Sequence, residues 1–241
     1  MMPSKRVCLL TGAGGRLGSA FCRLQAHRYH IVAVYRRRAP EVPSQEQRLV
    51  DPLDPNAAVE ENCHPVYAIK ADLLDDRQIE RVVELALARF DGVDLVVNAA
   101  AHWTSVSLLD TDRYLAEIGP HLAMNIGVPI RIAAALSGFW RDRVEENRAR
   151  NRNIVNVSSI SGIHVYTGLG HSLYAATKAA LNHLTRHLAH ELKPFGVRAN
   201  ATAPTSFPRL ITTENVVEAI VDFDRGDQNG KVDVLEPQRS R

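Results

Sequence analysis

Tyr174 and Lys178 stand four residues apart in YAATK, a spacing that places both side chains on one face of a helix. A phenol, titrating near pH ~10, is a poor acid–base group at neutral pH. A neighbouring cation favours the phenolate and brings it nearer the range useful for general acid–base work. By itself the pair is also what a solvated helix carries. Upstream, the apolar run at 154–157 ends in Ser158-Ser159-Ile160-Ser161-Gly162. A serine there can donate to a carbonyl, or cap the following turn. A third group is TGAGGRLG at 11–18, which also follows an apolar run. Its glycines allow a tight turn and close backbone approach to a phosphate held at a helix N-terminus. Arg16 occupies the place where many such loops carry another glycine.

These groups need a scaffold, and the hydrophobic pattern supplies one. Apolar runs at 7–10, 30–35, 66–70, 94–97, 154–157, 197–201 and 231–235 predict strands. Helical spacing predicts helices at 19–27, 78–90, 114–136, 173–192 and 214–221. Strands alternating with helices along 241 residues predict one α/β domain over 1–241. Its expected form is a doubly wound parallel sheet of about seven strands with helices on both faces. Two stretches are irregular. Residues 39–65 hold five prolines and read as a variable loop with a short helix. The arginine-rich 141–152 reads as a solvated helix end and loop. A net charge of +2 gives no electrostatic case for nucleic acid. The N-terminal apolar run is too short for a signal peptide, and no stretch approaches the ~18 apolar residues of a membrane span. Cys8, Cys22 and Cys63 are widely spaced, with no metal-like pairing. A reduced, cytoplasmic protein is expected.

The second strand sharpens the glycine loop. Where such a site binds a nicotinamide dinucleotide, a carboxylate at this strand's end holds the ribose 2′-hydroxyl, and arginine accommodates a 2′-phosphate instead. Here the strand runs into Tyr35-Arg36-Arg37-Arg38 without a carboxylate. That points to NADPH over NADH. Asp72, after the third strand, can accept from the adenine amino group or cap the next helix.

In this order the motifs resemble the short-chain dehydrogenase/reductase family over nearly the whole chain: TGAGGRLG, Asp72, NAAA at 98–101, Asn125, the serine after the fifth strand, YAATK, and Ala203-Pro204. The resemblance implies a single-domain Rossmann fold. It also implies an NADPH-dependent reduction of a C=O or C=N group in a small molecule. The implied catalytic set is Asn125, Ser159, Tyr174 and Lys178. Tyr174 would donate the proton. Lys178 would tune it and hold the nicotinamide ribose. Ser159, ahead of Ser158 and Ser161, would orient the carbonyl, and Asn125 would hold the water of a proton relay. Implied NADP contacts are Gly12, Gly14, Arg16, Leu17, Gly18, Arg36, Arg37, Asp72, Leu73, Asn98, Ala99, Ala100, Tyr174, Lys178, Pro204 and Thr205. The helices carrying Asn125 and Tyr174 would pair subunits in a homodimer or homotetramer.

Several positions depart from the family pattern. The second asparagine of NNAG is absent, Pro204 is followed by Thr205, and the lid near 205–213 is short. Ser159 and Tyr174 lie 15 residues apart, a somewhat longer interval than usual, with HVYTGLGHSL between them. The expected substrate pocket is Trp103, His102, Ser159, His164, Tyr166 and Phe207. With no Asp or Glu at ligand spacing, His102, His164 and His171 are expected to line its mouth, and no metal is expected. Arg16, the arginines after the second strand and Trp103 resemble the pteridine-reductase group, in which an aromatic ring stacks on the pterin. Ser159 departs from that group, which often has aspartate there. Trp103 can equally be a packing residue. The short lid and altered chain end (VLEPQRSR) keep a second class open, a non-catalytic NADP-binding regulator.

Overall fold

The computed structural model describes residues 5–43, 64–166 and 170–237. Alternation along the first strand, β1 (Arg6–Thr11), sets the architecture. Val7 and Leu9 enter one hydrophobic core, while Cys8 and Leu10 enter another on the opposite face. A strand buried on both faces needs helices above and below it. β2 (Tyr29–Tyr35), β3 (Val66–Lys70), β4 (Leu95–Asn98), β5 (Asn153–Val157), β6 (Arg198–Pro204) and β7 (Val232–Leu235) complete one sheet in the order β3-β2-β1-β4-β5-β6-β7. Every pair is parallel. The helices α1 (Arg16–Gln25) and α7 (Thr213–Arg225) cover the Cys8–Leu10 side. On the other side, α2 (Asp76–Phe90), α4 (Val128–Arg141) and the end of α6 (Ser172–Leu192) pack on Val7 and Leu9. Strand order reverses between β1 and β4, so the carboxyl ends of these two strands frame the crevice of the doubly wound sheet. There the Thr11 hydroxyl accepts from the Ala99 and Ala100 amides, each at 3.1 Å.

Element boundaries differ from the sequence expectation in instructive places. α1 begins at Arg16, three residues early, so the second half of the glycine loop is already helix. The single helix expected at 114–136 is a continuous run from Thr111 to Arg141 in three parts: α3 (Thr111–Leu122), a π turn (Ala123–Gly127) and α4. Pro120 lies within α3 and removes one amide from its hydrogen-bond ladder just ahead of the π turn. This run is long and apolar enough by composition to cross a membrane. Here it packs against α2 and α6 and buries His121 and Asn125 inside the fold. Of the proline-rich 39–65 segment, residues 44–63 lie outside the described residues.

The arginine-rich stretch is a largely exposed helix end, as expected, but part of it departs from a solvated loop. It forms a short helix, α5 (Val144–Ala149), and Arg152 is 1% exposed. Asp94, buried just before β4, is the reason. Its carboxylate accepts from the Val7 amide at 2.9 Å and from Arg150 Nε at 2.8 Å, with Arg152 Nε 3.6 Å away. Burial would raise the Asp94 pKa, but the bonds from Arg150 and Val7 and the charges of Arg150 and Arg6 hold it below the usual carboxylate range. Arg152 also bonds Glu146 and Asn147.

A carboxylate with a depressed folded pKa stabilises above its unfolded pKa and loses that contribution as pH falls through the folded one. Asp94→Asn should therefore lower unfolding free energy at pH 7 by about 3–5 kcal/mol, the cost of stranding buried partners. In denaturant titrations the gap to wild type should narrow as pH drops below ~4.

Candidate active site

Gly12 has φ +69, and a Cβ there would lie 2.8 Å from the Ala100 amide nitrogen. At Gly14 a Cβ would lie 1.8 Å from the Arg38 carbonyl oxygen. These two residues let the loop nest against the ends of β2 and β4, which a side chain would push apart. Beside them opens a cavity of about 300 Å³, lined by Gly12, Gly15, Val34, Tyr35, Arg36, Leu73, Ala99 and Ala100 among others. The loop, the adjoining helix N-terminus and the adjacent basic residues fit a dinucleotide. Arg16 opens α1 and is exposed, Leu17 is buried in the core, and Gly18 is buried beneath the loop. Arg36 and Arg37 are exposed at the end of β2, and Arg36 reaches Asp72 only at 3.9 Å. Asp72 also accepts from the Leu74 amide at 3.1 Å within the turn, while the cap of the next helix, expected of Asp72, is supplied by Asp75, which accepts from the Arg77 amide at 3.0 Å.

Asn98 corrects one expectation. It is not among the residues lining this cavity. Its Nδ2 donates to Asn156 Oδ1 at 2.8 Å, and Asn156 in turn donates to Thr185 on α6 at 2.9 Å. Asn98 and Asn156 are register partners on adjacent strands, so their side chains project from the same face of the sheet, toward α6. Their work is to tie β4, β5 and α6 together.

A second cavity, about 740 Å³, lies at the carboxyl ends of β5 and β6. Trp103, Ser159, Tyr166, Tyr174, Pro204, Thr205 and Phe207 line it, as does His171. His102 and His164 do not, which corrects their assignment to the pocket. The His102 ring turns to α3, where Glu117 Oε2 lies 2.6 Å from its Nε2. His164 is exposed beyond the 3-10 turn at Ile160–Gly162. Sequence reasoning missed Arg209 and Leu210, supplied by the short lid. No periodicity or motif marks that segment. Residues 167–169, within HVYTGLGHSL, lie outside the described residues.

The three serines separate by geometry. Ser158 is buried and donates to the Lys178 carbonyl at 3.2 Å, so its hydroxyl serves packing. Ser159 faces the cavity alongside Tyr174 and accepts from the Ser161 amide at 3.2 Å. Burial raises the Tyr174 pKa, and the nearby Ser159 hydroxyl only partly opposes this. The expected depression by Lys178 is therefore absent in the chain alone. Lys178 Nζ lies 5.5 Å from the Tyr174 ring centroid and donates to the Val157 carbonyl at 2.7 Å. It is 2% exposed, and desolvation lowers its own pKa to about 8.

Asn125 sits in the π turn, 1% exposed. Its Oδ1 accepts from the His102 amide at 2.8 Å; its Nδ2 donates to the His102 carbonyl and to Thr177 Oγ1, both at 2.9 Å. Thr177, another residue missed, lies one turn from Tyr174 on α6 and donates to its carbonyl at 2.8 Å.

The short chain dehydrogenase family model matches residues 6–218. The chain is 34% identical to L-xylulose reductase of Mesocricetus auratus over 201 residues, covering 83% of this chain and 71% of that protein. Among solved structures, 3-ketoacyl-(acyl-carrier-protein) reductase from Brucella melitensis, complexed with NADH, superposes with TM-score 0.77 at 21% identity, over 98% of each chain. A short chain dehydrogenase from Leptospira borgpetersenii with bound NAD+ gives 0.76 at 17% identity, over 96% of this chain and 91% of that one. Fold and family match together define an oxidoreductase built on a dinucleotide-binding sheet. The chain belongs to the short-chain dehydrogenase/reductase family.

One close approach holds the site together. A Cβ on Gly162 would lie 2.6 Å from the Lys178 carbonyl carbon and 2.7 Å from the Ala179 amide nitrogen. Gly162→Ala should thus push the Ser159 turn away from α6. The expected cost is about 1–3 kcal/mol of stability, read by denaturant unfolding. Stability equal to wild type would show that the turn relaxes freely.

Proposed function

We propose that the protein is an NADPH-dependent reductase of a C=O or C=N group in a small molecule, with Tyr174 as proton donor. The observation that carries this reading is that Ser159 and Tyr174 line the larger cavity, with buried Lys178 Nζ 5.5 Å from the Tyr174 ring centroid. The nicotinamide, when bound, supplies the hydride. Everything else falls to the chain. Ser159 and Tyr174 would take the substrate oxygen or nitrogen between their hydroxyls. Burial keeps Tyr174 protonated at neutral pH, so the proton is held until charge develops on the substrate. Lys178, with a pKa of about 8, is still mostly charged at pH 7 and offsets the phenolate left behind. Asn125 fixes α6 relative to the end of β4, and the π turn around it is the place for the relay water.

The preference for NADPH rests on Arg36 and Arg37 and the absence of a carboxylate at the end of β2. The long, exposed Arg36–Asp72 pair is weak enough for a 2′-phosphate to displace. The lining of the larger cavity has aromatic rings from Trp103, Tyr166 and Phe207, the Arg209 guanidinium, and no Asp or Glu among the described residues. That composition favours flat or anionic carbonyl compounds over cationic ones. Trp103, 58% exposed at the cavity, is what supports a dihydropterin as the second reading. Leu115, Ile118, Leu122 and Ile130 are exposed on α3 and α4, which supports a homo-oligomer paired through that face.

The test is a panel of neutral ketones, keto acids, quinones and dihydrobiopterin with NADPH. Turnover is expected, and Tyr174→Phe should lower kcat by about 10²–10⁴ with NADPH affinity kept. Cofactor binding without turnover of any compound would favour the non-catalytic regulator. Replacing Arg36 and Arg37 by alanine should weaken NADPH binding at least tenfold, about 1.4 kcal/mol, and leave NADH unchanged. Equal losses for both cofactors, measured by titration, would refute the NADPH preference.

A further inference from the structure

His102, Glu117 and His121 meet next to Asn125, and none of the three lines the substrate cavity. One donor atom from each lies within 4.8 Å of those of the other two. Glu117 and His121 stand four residues apart on α3 and so share a face. His102 comes from the segment after β4, its backbone clamped by Asn125 through the two bonds already described. The two imidazoles meet edge to face, with ring centroids 4.6 Å apart.

His121 is the informative member. It is 1% exposed, and its Nδ1 lies 2.9 Å from the Glu117 backbone carbonyl. A carbonyl only accepts, so Nδ1 carries the proton. In the neutral ring Nε2 is then a bare lone pair, and it is buried with no hydrogen-bond partner. A buried acceptor without a partner is costly and uncommon. An imidazole anchored through one N–H to a carbonyl, with the other nitrogen bare, has the tautomer that metal-ligating histidines adopt. Glu117 completes the set as a carboxylate. Two imidazoles and one carboxylate suit Zn²⁺ and its first-row neighbours, whereas Mg²⁺ and Ca²⁺ call for oxygen donors.

We propose that His102, Glu117 and His121 form a three-ligand site for a divalent transition metal of the Zn²⁺ class, distinct from the hydride-transfer site. Its fourth position is open to water. On binding, the metal takes the place of the His102–Glu117 hydrogen bond, and any proton on His102 is released to solvent. Because Asn125 grips the His102 backbone, the metal would also stiffen the π turn. The site stands whether or not the protein is a reductase.

His183 and His187 form a second pair, exposed on α6 with their Nε2 atoms 3.1 Å apart. They would add background binding, so the test uses a His183→Ala/His187→Ala protein. Zn²⁺ is titrated by calorimetry, and Co²⁺ is followed by its visible absorption band. One equivalent should bind, with the strong Co²⁺ band of a four- or five-coordinate site. Glu117→Gln and His102→Ala change partly exposed side chains and leave buried His121 in place; circular dichroism verifies their folding. Each should weaken Zn²⁺ at least tenfold. Absence of one bound equivalent in the parent protein, or retention of its affinity in either folded variant, overturns the proposal.

Discussion

Asn125 satisfies its buried amide through three hydrogen bonds, two to the His102 backbone and one to Thr177. Those partners belong to different parts of the chain: the segment leaving β4 and the helix that carries Tyr174 and Lys178. A side chain 1% exposed cannot exchange these bonds for water. Its grip therefore ties the crevice at the sheet's switch point to the helix α6 that carries Tyr174 and Lys178. The π turn belongs to the same constraint, because it interrupts an otherwise straight run at the residue that must reach inward.

Around that clamp, burial governs the chemistry. Lys178 is pushed down and Tyr174 up, each toward its neutral form, as desolvation of a cation and of a phenol requires. The chain alone thus holds a protonated tyrosine beside a lysine whose charge is weakly held. Charge arriving at the site, from cofactor or substrate, meets a lysine whose pKa of about 8 lies close to neutral pH and a phenol that burial keeps protonated. The Asp94 cluster at the opposite end of the strands obeys the same physics with another outcome. There, arginines surround a buried carboxylate closely enough that pairing outweighs desolvation.

Much of this was legible in the residues. Seven strands and their helices followed from alternating hydrophobic runs, because a parallel sheet buried on both faces leaves that signature in every strand. Ser159, Tyr174 and Trp103 line one cavity, and the glycine loop lies against the ends of β2 and β4. Other residues misled. Arg152 and Arg150 look like a solvated basic loop until the fold places Asp94 beneath them. Asn98 looks like a ligand contact until Asn156 on the neighbouring β5 takes up its Nδ2. His102 was expected at the pocket mouth, but Glu117 lies a full helix away in sequence and only the fold brings the two within 2.6 Å.

By itself the sequence determined which elements form, in what order, and which helix face and strand ends would carry the reactive groups. Those features depend on local periodicity and on short spacings, which the chain carries regardless of its final packing. Only the tertiary structure decided where each polar side chain finds its partner. Hydrogen bonds and ion pairs between residues distant in sequence depend on a few ångströms of approach that no local pattern records. The partners of Asn98, Thr177 and His121, and the directions in which Tyr174 and Lys178 are shifted, follow from that approach and from the loss of water that accompanies it.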